Sequence, residues 1–411
     1  MVYASPILKI HPNDNVVVAL SDLQKNDTVL VDGDVICVRD LIPGKHKVAT
    51  SDLKKGNPII MYGILVGRAS RDILKGERLS VENMIHDSRD YKLNGVRKVR
   101  WDRPDVSLYE DHCFMGYPRN DGNVGTANYW IVVPLVFCEN RNIQFMREAM
   151  LEELGYHKSD SYRAQVRSLV QAYSESALRT NWSTPGKPLF ENIDGIKFLS
   201  HTMGCGGMPE DARALCGLLA GYINHPNVAG ATILSLGCQD AQTSILFDEI
   251  NKRNPNIDKP LFLFEQQAYG TERELLQRAI EQTFAGLTRV NESKRIPSPL
   301  SKLVIGVECG GSDGFSGLSA NPAIGYTADV LVALGGTVIL SEFPELCGVE
   351  QEILERCVND QVAERFLSLQ RAYAAKAEMV GTGFSMNPSP GNIKDGLITD
   401  AMKSAGAVKK A

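Results

Sequence analysis

Long apolar runs are missing from this 411-residue sequence, and so are blocks of one charge. No uninterrupted apolar stretch approaches the roughly 20 residues needed to cross a bilayer. The start, MVYASPILKIHPNDN, lacks the basic segment and apolar core of about 7 to 15 residues that mark an export signal. The sequence therefore reads as cytoplasmic, with no membrane partner. Lys and Arg number 44 against 49 Asp and Glu, a net charge of -5 without a long basic run, which excludes an electrostatic footprint for nucleic acid. A small molecule is the expected partner. There is no C-x-x-C pair, no Gly-Lys-Ser/Thr after a glycine loop and no G-x-G-x-x-G, so zinc ribbon, thioredoxin-like, phosphate-loop and dinucleotide readings lack their motifs. No repeat of fixed period is present.

What is there is an ordinary globular composition, 43% hydrophobic and 23% charged, long enough for two or three domains. Short β-rich runs occupy the first part, Val16 to Leu20, Thr28 to Val31, Asp34 to Val38 and Ile59 to Ile64, separated by turn clusters such as Asp32-Gly33-Asp34. Residues 1–90 are expected to form a small β domain. The charged stretch 91–115 suits a linker or a strap. From 116 to 411, apolar runs alternate with amphipathic stretches: Trp130 to Phe137, Ile196 to Ser200, Thr232 to Leu236, Leu261 to Phe264, Leu303 to Val307 and Thr337 to Leu340 read as strands. Helices are expected over 211–225, 271–287, where Thr271 and Glu274 form a capping box, and 351–372. The alternation indicates an α/β domain with a mostly parallel sheet.

Nine cysteines without an export signal read as reduced thiols. Four share one context. Cys138, Cys205, Cys238 and Cys309 each lie at or just beyond the carboxyl end of an expected strand, the edge where open α/β sheets bind ligands. Thiolates are soft donors suited to iron, zinc or an iron–sulfur cluster, and Glu342, after another strand, would lie at the same edge. The plainer alternative is that free cysteine is simply a buried residue type. That reading suits Cys216 and Cys357 on apolar helix faces; Cys37 lies in a strand of the small domain, and Cys113 and Cys347 are left open.

In Ser200-His201-Thr202-Met203-Gly204-Cys205-Gly206-Gly207, His201 is a candidate base or ligand, or a histidine satisfied in a turn. A second glycine loop, Cys309-Gly310-Gly311-Ser312-Asp313-Gly314, lets backbone amides approach an anion. Arg119 in Tyr117-Pro118-Arg119-Asn120-Asp121-Gly122 either clamps a carboxylate bidentately or is a solvated turn arginine, and Asn128 follows in the same segment.

The blocks GYPRNDGNVGTANYWIVVPLVFC, SHTMGCGG, HPNVAGATILSLGCQ, ECGGSDGFSGLSANPAIGY, GGTVILSEFPE and NPSPGN together resemble the signatures of the altronate and galactarate dehydratase family, over nearly the whole chain. LKIHPNDNVVVAL, PGKHKVAT and GNPIIMYGILVG resemble its small N-terminal SAF-type domain. SHTMGCGG is closer to the altronate form than to the galactarate form. The chain departs from the family pattern at Ser80-Val81-Glu82-Asn83, where a His-x-His-Asn element is usual, and at Gly237-Cys238-Gln239, where Gly-Cys-Glu is usual. Family chains also continue beyond the NPSPGN block, so the C-terminal part is expected to be shortened here.

The resemblance implies a hydro-lyase that removes water from a sugar acid, altronate favoured, to give a 2-keto-3-deoxy acid. Galactarate, or elimination of sulfite from a sulfolactate, is an alternative, as is a non-catalytic sugar-acid-binding protein. It further implies iron (Fe2+, a four-iron cluster or another divalent metal) at Cys138, Cys205, Cys238, Cys309 and Glu342. His201 is expected as general base or acid with His46 as competitor; Arg119, Asn128, Gly310, Gly311, Ser312 and Asp313 are expected on the substrate. A homodimer is expected from base rates alone.

Overall fold

The computed structural model describes residues 5–93, 99–157, 161–173, 187–308, 314–341 and 343–410. The chain divides into two compact units, Met1–Asp111 with Leu303–Ala411, and His112–Lys302.

The N-terminal part of the first unit is built of short strands: Ile7–Leu8, Val16–Ala19 and Lys47–Ala49 form one antiparallel sheet, and Pro58–Met61, Ile64–Ala69 and Met84–Ile85 another. A hairpin joins Thr28–Val31 to Asp34–Cys37, with Val31 opposite Asp34. Its two-residue turn places Asp32 at φ 51° and Gly33 at φ 90°, the left-handed pair whose twist matches a tight hairpin. The turn cluster marked in the sequence is this one.

In the central unit, β1 (Tyr129–Pro134), α1 (Asn140–Glu153), α2 (Ser161–Tyr173), β2 (Gly195–Phe198), α3 (Pro209–Asn224), β3 (Val228–Ser235), α4 (Thr243–Arg253), β4 (Leu261–Glu265) and α5 (Glu272–Val290) follow one another. The four strands form a parallel sheet in the order β2-β1-β3-β4. Alternation along β1 fixes the layers. Trp130 and Val132 face a core with Ile143, Met146, Leu275 and Leu287 of α1 and α5, whereas Ile131 and Val133 face Leu215, Leu219, Leu246 and Ile250 of α3 and α4. A sheet covered on both faces needs continuous apolar strands, and all eight residues of β3 are buried. Thr271 caps α5, its hydroxyl accepting from the Glu274 amide and donating to the Glu274 carboxylate.

The first unit resumes with β5 (Val304–Val307), α6 (Ala320–Ala333), β6 (Thr337–Leu340), α7 (Glu350–Leu354), α8 (Asp360–Met379), α9 (Pro390–Lys394) and α10 (Asp400–Ala407). The helix expected over 351–372 is two helices. Asn359 starts the second by accepting from the Val362 amide, and a cap cannot sit inside a continuous helix.

By its contacts, the segment after 302 groups with the residues before 112. Among the described residues, β5 and β6 form a two-stranded parallel sheet of their own. The apolar residues Ile398, Ala401, Met402 and Val408 share a core with Val16, Val18, Ile59 and Val66 of the N-terminal strands. Parts of the expected linker lie on this same unit: the Trp101 indole donates to Asp329 and Arg103 to the Ala333 carbonyl.

No helix among the described residues is long and apolar enough to cross a membrane.

Candidate functional site at the carboxyl rim of the parallel sheet

The topology of the central unit marks a crevice. After β1 the chain turns to α1 on one face of the sheet, and after β3 to α4 on the other, although β1 and β3 are neighbours. Loops that part in this way leave an opening at the carboxyl ends of the two strands, the position where open α/β sheets hold ligands. Cys138 follows β1, Cys238 follows β3 and Cys205 follows β2 on the other side of β1. All three thiols are free and exposed. They precede α1, α4 and α3; the amino end of α4, with no acidic residue in its first turn, carries a positive field that favours anions.

Backbone contacts tie the rim together. The Phe137 amide donates to the Met203 carbonyl (2.8 Å), and the Gln267 amide donates to Leu236 (3.3 Å). The Gly207 amide donates to Asp240 (3.2 Å). Gly204 lies so close to Phe137 that a Cβ there would stand 3.3 Å from its ring, which explains a glycine before Cys205. Among the described residues, however, no three His, Cys, Asp or Glu side chains are gathered into a group that could hold a metal ion. The donors suit iron in chemical kind; they are not closed around a common point.

Cys309, Gly310, Gly311, Ser312, Asp313 and Glu342 lie outside the described residues. Cys216 is fully buried as expected, and burial pushes its thiol up to about 11.

His201 is at the rim but is not poised for proton transfer. Its Nε2 lies 3.0 Å from the Pro134 carbonyl and can only donate to it, and its Nδ1 accepts from the Met203 amide at 3.1 Å. One neutral tautomer satisfies both contacts and leaves neither nitrogen for a ligand. His201 is the histidine satisfied in a turn, and its carbonyl accepts from Asn140.

Arg119 and Asn128 are at the opposite end of the sheet. Asn128 immediately precedes β1, and the Arg119 Nε donates to Pro226, two residues before β3. Six strand residues at about 3.3 Å each separate this end from the thiols. The Arg119 guanidinium also reaches the Asn128 Oδ1 at 2.9 Å, while the buried Asn128 donates to the Asn192 and Val290 carbonyls. Burial pulls the Arg119 guanidinium below its ordinary value, and its hydrogen bonds go to the Pro226 and Ala127 carbonyls and the Asn128 side chain. Arg119 thereby ties the turn before β1 to the segment before β3.

His46, in the first unit, keeps a usable lone pair. Its Nε2 meets the Lys394 carbonyl at 3.0 Å, which fixes the proton there, and its buried Nδ1 has no hydrogen-bond partner. Burial lowers its basicity, against a smaller opposing effect of the Lys394 carbonyl. Beside it, Lys47 is fully buried and donates to Gly396 at 2.7 Å and Lys45 at 2.9 Å; burial pulls this amine down to about 7. Gly314, at the described end of the second glycine loop, stands against the Lys45 side chain.

One carboxyl at the rim gave no sequence signal beyond standing next to Cys138. Glu139 is completely buried, its Oε2 accepts from Asn142 at 2.8 Å and its Oε1 has no partner; burial raises its pKa, partly offset by the Asn142 bond. At Gln239 the side chain is satisfied within its own turn, accepting from the Gly237 amide and donating to Ser235 and Ala241.

Residues 5–87 match the altronate/galactarate dehydratase SAF domain. Residues 116–291 match the second domain of D-galactarate dehydratase/altronate hydrolase, and 300–411 the C-terminal part of D-galactarate/altronate dehydratase. An altronate dehydratase of Bacillus subtilis is 31% identical over 407 residues, 98% of this chain and 73% of that protein. An altronate dehydratase of Escherichia coli is 29% identical with 98% and 73% covered. A galactarate dehydratase (L-threo-forming) of Escherichia coli is 28% identical with 98% and 72% covered. Three matched segments in the family's order and a relative of this identity over nearly the whole chain place the protein in the altronate/galactarate dehydratase family of hydro-lyases.

Proposed function

We propose that this chain is a cytoplasmic, homodimeric hydro-lyase that removes water from a hexonic acid, altronate in preference to galactarate, to give a 2-keto-3-deoxy acid. The observation that carries the reading is the 31% identity to an altronate dehydratase over 98% of the chain. SHTMGCGG, in the altronate form, supports the substrate preference.

The chemistry sets the requirements. A proton next to a carboxylate is weakly acidic and hydroxide is a poor leaving group, so the site must stabilise negative charge on the carboxylate as the C–H bond breaks. It must also supply a proton to the departing C3 oxygen. The amino end of α4 at the rim, with no acidic residue in its first turn, favours an anionic substrate. Iron would act as a Lewis acid on the substrate oxygens; Cys138, Cys205 and Cys238 would have to draw together to hold it, since among the described residues they are not gathered into such a group.

The test is a screen of altronate, galactarate and other aldonic and aldaric acids with protein purified without oxygen and supplied with iron, assayed for a 2-keto-3-deoxy product. Turnover of altronate above the rest is expected. Binding of the acids with no product from any of them would defeat the reading.

A further inference from the structure

The segment 86–92 leaves the last N-terminal strand, Met84–Ile85, and lies against the helices that close the first unit. Three of its contacts there involve no change of charge. The Lys92 amide donates to the Gln351 side chain of α7 at 2.8 Å. Tyr91 packs on Leu354, Ala363 and Leu367 of α7 and α8. Ser88 stands against Gly348, where an added Cβ would come within 3.3 Å of it.

The fourth contact is different in kind. The His86 Nδ1 pairs with the carboxylate of Asp400, which is 3% exposed, opens α10 and accepts from the Ala401 amide at 2.9 Å. The imidazole itself is 40% exposed, so protons from solvent reach it. Three carboxylates face this ring: Asp400 from α10, Glu350 from α7 and Asp87 from its own segment, the last also paired with Arg68 of the strand Ile64–Ala69. Cys347, just before α7, also meets Asp400. Burial pushes its thiol up to about 12, so it stays neutral and brings no positive charge. A carboxylate as buried as Asp400 gains from a cation beside it and loses when that cation is discharged.

We propose that the His86–Asp400 pair is a pH-operated clasp, which in its charged form holds the segment 86–92 on the C-terminal helices and slackens when the imidazole becomes neutral. Charged, the ring supplies the cation that three carboxylates face. Neutral, it can still donate one N–H to Asp400, but the charge is gone. The bond to Asp400 raises the His86 pKa over the lowering effect of burial, with Asp400, Asp87 and Glu350 adding to the rise through their charge. The sign follows from linkage. A histidine that binds its proton more tightly when folded contributes fully below its ordinary value of about 6.5, and that contribution is lost as pH rises through the higher folded value. Water and salt reach a half-exposed pair, so the clasp biases the local opening of one segment and leaves the unit folded.

The experiment is limited trypsin digestion of the full chain. Cleavage after the exposed Arg89 is located by mass spectrometry and expressed relative to a free peptide of residues 84–93 at the same pH, which removes the pH dependence of the protease. Such cleavage reads the population of the open segment. In the parent the relative rate is expected to rise about fivefold between pH 6.5 and 8.5. In His86→Gln, which carries no charge, it should be fast and flat over that range. In His86→Lys, which keeps a cation throughout, it should be slow and flat. A parent rate that does not change with pH, or the parent's rise persisting in either variant, would overturn the proposal.

Discussion

The Arg119 guanidinium donates to the Oδ1 of the fully buried Asn128 at 2.9 Å, and this pair closes the amino end of the sheet whose other end carries Cys138, Cys205 and Cys238. Arg119 joins the turn before β1 to the Pro226 carbonyl ahead of β3. Arg119→Ala is therefore expected to act on stability, by about 2–4 kcal/mol, since it leaves buried carbonyls without donors. Urea unfolding should show that loss while KM for the substrate stays within about twofold.

His201 should behave as a brace. In His201→Asn the Pro134 carbonyl and the Met203 amide lose their shared partner, a cost of about 1–2 kcal/mol. The pH profile of kcat/KM should keep the parent's limbs, measured from pH 5.5 to 9.5. A limb that disappears would return His201 to the proton-transfer groups.

Lys47 makes a prediction about pH. Its folded value of about 7 lies below the ordinary lysine value, so between the two the unfolded chain binds one more proton than the folded one. Stability then rises with pH across that window, by up to about 1.4 kcal/mol per pH unit, and is lowest below about pH 7, where the folded state must bury the charged amine. In Lys47→Met the rise between pH 7.5 and 9.5 should flatten. Urea midpoints across that range provide the check.

Gly286 sits on the inner side of α5 where a Cβ would run into the rings of Trp130 and Phe262. Alanine normally improves a helix by about 1 kcal/mol. Here Gly286→Ala should instead destabilise by about 1–3 kcal/mol through overpacking, seen as a lower thermal midpoint.

The sequence displayed the elements better than their partners. Tyr129–Pro134, Val228–Ser235 and Leu261–Glu265 are strands, inside or across the apolar runs that marked them, because a twice-covered sheet requires such runs, and Thr271 marks its helix start by side-chain chemistry alone. Pairing is non-local. Nothing in Leu303 to Val307 distinguishes a strand that joins the central sheet from one that pairs only with Thr337 to Leu340. The thiols after β1, β2 and β3 were legible because position after a strand is a sequence property. The fates of His201 and Arg119 were not, since they depend on the Pro134 and Pro226 carbonyls that folding brings near. Asn128 did carry a signal, standing before the first strand and hence at the wrong end of it. His86 carried none, for its partner lies more than three hundred residues away at Asp400.

The account stands most directly on the three thiols after β1, β2 and β3. Cys138→Ser, Cys205→Ser and Cys238→Ser, each purified without oxygen beside the parent, should be assayed together for bound iron and for 2-keto-3-deoxy acid formed from altronate. The account predicts iron and turnover in the parent, and in each variant a loss of iron with turnover reduced about a hundredfold at an unchanged thermal midpoint. Parental turnover in all three variants would contradict it.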